Sequence, residues 1–97
     1  MPLFILNARD KADALPTRMA NRAEHLAWAG TFIDNIRMAG PVFADDGETF
    51  AGSVFVVEMD SLQAVHDWAA EDPYAKAGVF ETVEIRPFTW AVGTGKV

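Results

Sequence analysis

Residues 52–59 read Gly-Ser-Val-Phe-Val-Val-Glu-Met. In an extended chain successive side chains point to opposite faces, so Val54 and Val56 share one side and Phe55, Val57 and Met59 the other. Both sides are apolar, which predicts a strand from Gly52 to Met59 covered on both faces. Leu3–Asn7 has the same character, with Leu3 and Ile5 on one face and Phe4 and Leu6 on the other. Two such strands make the frame that the rest of the 97 residues must fit.

Between them, the spacing predicts one long helix from about Ala14 to about Asp34, with Leu15, Met19, Leu26, Gly30 and Ile33 as its apolar stripe. Pro16 restricts the start, since proline suits only the first helical turn. Ile36–Ala44 reads as a second strand interrupted by Gly40-Pro41, hence an edge strand or a bulge. Asp45-Asp46-Gly47-Glu48 is a turn signal. After the Gly52–Met59 strand, Asp60 or Ser61 can cap a second helix, with Gln63 placed for a capping box with Asp60. Leu62, Val65, Trp68 and Ala69 form its apolar face. It should end before Asp72-Pro73, because the residue before proline avoids the helical region. A short turn, Tyr74–Gly78, then leads into a last strand, Val79–Phe88.

The order is βαββαβ, which predicts an α+β ferredoxin-like fold: an antiparallel sheet with two helices on one face and the first and third strands central. One domain is expected over residues 1–97. The helices leave the second face of the central strands bare. A second copy of the same sheet is the simplest cover, so a homodimer is expected.

Composition narrows the partners. The formal net charge is −6 and no cluster of Lys and Arg is visible, which argues against nucleic acid and against an anionic membrane surface. Cysteine is absent, which excludes disulfides, thiolate catalysis and cysteine-based metal sites. The start, Met-Pro-Leu-Phe-Ile-Leu-Asn, lacks a basic leader and is too short for a signal peptide, and no apolar run approaches the roughly 20 residues of a membrane span. A cytoplasmic location is expected.

Arg18, Arg22 and His25 fall at i, i+4 and i+7 and share one side of the first helix. Arg22 lies near the middle of the apolar stripe, where an arginine needs a carboxylate or carbonyl partner; a structural ion pair is the simpler role. His25 lies at the edge of the stripe, where it could face a cleft beside the sheet or merely pack. Asp before proline is a common turn device. Alternatively, Asp72 would orient the His25 imidazole and raise its basicity, giving a general base near neutral pH. His66 reads as a packing or surface residue, and Asp45, Asp46 and Glu48 as a solvated turn. Two histidines far apart argue against a transition-metal site. There is no phosphate-binding glycine loop, nucleophile elbow or nucleotide fingerprint, so no cofactor is expected. Trp28, Phe32 and Phe43 are candidate apolar walls of a cleft, although aromatic residues at such spacing are more often core.

These residues form a pattern. The chain resembles the YciI-like (YCII-related) family of the dimeric α+β barrel superfamily over nearly its whole length. The resemblance is carried by Arg22-x-x-His25-Leu26, Ala39-Gly40-Pro41, Gly52-Ser53 and Ser61-Leu62. It continues in Trp68-Ala69-x-x-Asp72-Pro73-Tyr74-x-x-Ala77-Gly78-Val79 and Ile85-x-Pro87-Phe88. It departs where the family usually has a glycine between the first helix and the second strand; here the residues are Asp34-Asn35. The resemblance implies a ferredoxin-like protomer paired sheet to sheet and an active site built on a His–Asp pair, here His25 and Asp72. It also implies that Arg22, Ser53 and Tyr74 contact the substrate. Some members are similar to dehydrochlorinating enzymes, and the superfamily includes muconolactone isomerases and monooxygenases. Two functions are therefore expected to compete. One is cofactor-independent acid–base chemistry, elimination or isomerisation, on a small cyclic or aromatic compound. The other is a non-catalytic ligand-binding or accessory module.

Overall fold

The computed structural model describes residues 1–94. Its elements are β1 (Leu3–Asp10), α1 (Leu15–Ala20), α2 (Arg22–Gly30), β2 (Ile36–Phe43), β3 (Phe50–Glu58), α3 (Leu62–Ala70), α4 (Pro73–Lys76) and β4 (Phe80–Phe88). The four strands form one antiparallel sheet in the order β2-β3-β1-β4. The two doubly apolar strands, β1 and β3, are central, and the fold is α+β and ferredoxin-like.

Side chains alternate as the pleat requires. Phe4, Leu6 and Ala8 of β1 and Phe55 and Val57 of β3 face the helices and join Val65 and Trp68 of α3 in the core. Trp28 and Phe32 pack against this cluster, with Trp28 stacked on Trp68 at 4.8 Å and Trp68 edge-on to Phe55 at 5.3 Å. Such aromatic pairs add about 0.5–1.5 kcal/mol each beyond their burial. Trp28 and Phe32 thus belong to the core, the second of the two roles expected for them; Phe43 packs on Phe50 at the sheet edge.

The long first helix is in fact two. Asn21, with φ −109° and ψ 6°, separates α1 from α2, and its side-chain amide donates to the Thr17 carbonyl at 2.9 Å. Asparagine competes in this way for helix carbonyls, which explains the break. Past Gly30 the chain runs in turns to Asn35. The apolar stripe inferred from spacing also faces outward: Leu15, Met19, Leu26 and Ile33 are exposed, while Arg18 and His25 are buried.

Smaller differences follow local chemistry. β2 is an edge strand with irregular register on both sides of Gly40-Pro41, as proline requires. Ser61 caps α3, accepting from the Ala64 amide at 3.1 Å. Gln63 bonds Asp67, so the Asp60 capping box does not form. The short turn expected at Tyr74–Gly78 is helical in its first part and begins at Pro73. Asp34-Asn35 needs no glycine: neither has positive φ, and Asn35 pairs with Glu58 through backbone and side chain.

Candidate active site

A cleft of about 190 Å³ opens between α1, α2 and the β2 edge of the sheet. Its base is polar, with Arg18, His25, Ser53 and Tyr74; its sides are apolar, with Met19, Leu26, Ala29, Pro41, Phe50 and Phe55. Ala39-Gly40-Pro41 puts small side chains on the β2 wall, which leaves room beside the imidazole.

His25 comes from α2 and Asp72 from the start of α4. They meet with Nδ1 to Oδ1 at 2.8 Å, both nearly buried. The same Asp72 oxygen accepts the Tyr74 amide at 2.9 Å and so caps α4. This oxygen is an acceptor toward both neighbours, so Nδ1 carries the imidazole proton. In the neutral ring the lone pair is then on Nε2. This nitrogen has no partner among the described residues and is not sealed from solvent, and His25 lines the cleft, so Nε2 faces it. The Tyr74 ring lies flat on the imidazole, with centroids 3.9 Å apart and planes 7° apart. The ring contact fixes the plane of the base and the carboxylate fixes its rotation.

Arg18 is the buried arginine of the site. Its Nη1 donates to both Asp10 oxygens at 3.0 and 3.1 Å, its Nη2 donates to Ser53 Oγ at 2.9 Å, and its guanidinium lies over the Tyr74 ring at 4.7 Å. Burial raises the pKa of Asp10, with Arg18 opposing. Burial also raises that of Tyr74, against the pull of Arg18 and Arg22.

Of the residues expected at the site, His25, Asp72, Ser53 and Tyr74 converge at the base of the cleft. Arg22 does not: it is exposed at the mouth and has no ion pair among the described residues. The break at Asn21 turns its side away from the core, and Arg18 takes the buried position with a carboxylate partner. Arg18 and Asp10 were therefore missed as site residues. Period-two alternation, carried on from Phe4, Leu6 and Ala8, puts Asp10 on the helix-facing side and would have found the partner. His66 is exposed. Among the described residues no group of three or more His, Asp or Glu is placed to hold a metal ion. Among the described residues no helix is long and apolar enough to cross a membrane.

Known proteins are similar to this chain in sequence and in fold. The chain is 41% identical over 93 residues to protein YciI of Escherichia coli O6:H1, covering 89% of this chain and 95% of that one. It is 38% identical over 92 residues to an uncharacterized protein of Haemophilus influenzae, covering 88% and 94%. Among solved structures, 5-chloro-2-hydroxyhydroquinone dehydrochlorinase (TftG) from Burkholderia phenoliruptrix, in complex with 2,5-dihydroxybenzoquinone, superposes with a TM-score of 0.81. It is 28% identical, with 98% and 99% of the two chains covered. A NIPSNAP domain protein of Burkholderia xenovorans shares the fold alone, with a TM-score of 0.52, 21% identity and coverage of 94% and 95%. The YCII-related domain matches residues 2–89, and the chain belongs to that family.

Proposed function

We propose that this protein is a cofactor-independent enzyme of acid–base chemistry, acting on a small cyclic or aromatic compound by elimination or isomerisation. The observation that carries it is the His25–Asp72 pair at 2.8 Å, with Nε2 open to a cleft of small-molecule size. Likeness to a dehydrochlorinase supports the reaction class. In such a step Nε2 takes a proton from the substrate, and the electron pair left behind either expels the leaving group or shifts along the ring, where another carbon takes the proton back from His25. Asp72 stabilises the imidazolium that forms. Ser53, Tyr74 and, at the mouth, Arg22 contact the substrate. The working unit is a cytoplasmic homodimer.

A second reading has its own support: Asp72 also caps α4, so the His25 contact can serve packing alone, in a ligand-binding module. Chloride release from 5-chloro-2-hydroxyhydroquinone and a panel of related cyclic compounds separates the two. His25→Asn and Asp72→Asn should each lower turnover by about 10²–10⁴-fold with the fold retained by circular dichroism. Activity that survives His25→Asn removes the base. Saturable binding across the panel without turnover favours the module.

A further inference from the structure

We propose that Ser53 and Tyr74, positioned by Arg18 and Asp10, form an oxyanion-holding subsite beside His25, and that the ligand carries an anionic oxygen of phenolate or enolate type. This rests on reading the cleft as a small-molecule site.

The argument starts at Ser53. A hydroxyl has one proton and two lone pairs. Arg18 Nη2 can only donate, so Ser53 Oγ is the acceptor in their 2.9 Å bond, and the serine proton is left for another group. No acceptor for it exists among the described residues, and Ser53 lines the cleft. Arg18 therefore makes Ser53 a donor toward the cavity and polarises it. Arg18 is a positioning residue here: its charge is matched by Asp10, which holds it in two hydrogen bonds.

The Tyr74 hydroxyl is the second donor. It has no partner among the described residues, it is not among the enclosed polar atoms lacking one, and the residue lines the same cleft. Burial raises its pKa, so the phenol keeps its proton at neutral pH and offers it. The fixed stacking on His25 places it beside the base.

Charge decides which ligand these donors suit. The two carboxylates near the cleft, Asp10 and Asp72, are already engaged by Arg18, His25 and the Tyr74 amide. Neither carboxylate is left free to hold a cation. Arg22, exposed at the mouth without an ion pair, adds a positive field that favours an incoming anion. An oxygen that gains negative charge as His25 removes a proton would be stabilised where it forms.

The probe is 4-nitrophenol, whose phenolate absorbs visible light and whose neutral form does not. Absorbance is followed against pH with and without saturating protein. The bound probe should ionise at a lower pH than the free probe. Ser53→Ala and Tyr74→Phe each remove one oxygen, and each should weaken phenolate binding about three- to tenfold while sparing the neutral form. Arg18→Lys keeps the charge but loses the fork, and should do the same. A bound probe that ionises at the same or a higher pH, no saturable binding at millimolar probe, or variants that behave as wild type would each overturn the subsite. Binding without anion preference overturns it and leaves the His25 base standing. Turnover that survives His25→Asn overturns the base and leaves the subsite standing.

Discussion

Asp46 organises the β2–β3 turn with one carboxylate. Its Oδ1 accepts the amides of Glu48 and Thr49 at 2.9 Å each, and Oδ2 accepts the Thr49 hydroxyl at 2.5 Å. The Thr49 side chain first, then the two amides, lower its pKa from 3.8 to about 2. A depressed acid contributes stability that is present above its unfolded value and lost as pH falls through the folded one. The turn should therefore hold above about pH 4 and loosen between about pH 4 and 2. Amide exchange at Glu48 and Thr49 should speed up over that window, and Asp46→Asn should abolish the dependence; exchange that does not change with pH would refute the assignment. The acidic run was legible as an exposed turn from composition. Which acid carries it was not, because that depends on turn geometry. The same holds for Arg18 against Arg22: both sit on the His25 side of a regular helix, and only the break at Asn21 separates them.

At the scale of elements, the β1–β3 pair sets the site. Gly52 sits opposite Arg9, and a Cβ there would lie 2.1 Å from the Ala8 carbonyl oxygen, on backbone that cannot swing aside. This gives the Gly52-Ser53 pair a physical reason: the glycine permits close approach of the strands, and the next residue reaches Arg18. Gly52→Ala should destabilise the fold by about 1–3 kcal/mol in denaturant unfolding and displace Ser53. An unchanged midpoint would mean that the strands yield there freely. The central pair was legible because β1 and β3 are apolar on both faces, which only a strand covered on both sides can be. The extent of β1 was not, since its last residues, Ala8-Arg9-Asp10, turn polar at the site. The helical stripe was misread for a related reason. Spacing reports an apolar side, and here the most regular one lines the cleft and the solvent, while a buried arginine and histidine occupy the inner side.

At the scale of the molecule, the helices leave one face of the sheet uncovered. Register puts Met38, Val56, Ile5 and Arg86 in one row across it and Gly40, Val54, Asn7 and Glu84 in the next. The mixture of apolar centre and charged β4 edge suits a second copy laid over the same face. A larger hollow, lined by Asn7, Arg9, Val42, Gly52, Thr82 and Glu84, opens on this side and shares Phe50 and Ser53 with the His25 cleft. Sedimentation at micromolar concentration should give twice the 10.6 kDa chain mass, and a stable monomer would refute the dimer. The outer wall of the cleft, in contrast, is made of side chains the core does not use. Met19 and Leu26 are 43% and 51% exposed. Exchanging such residues typically changes stability by no more than about 0.5 kcal/mol. Across generations these positions can therefore be rewritten almost freely, so the compound accepted can drift from one descendant to another while the imidazole, its carboxylate and the sheet that carries them stay as they are.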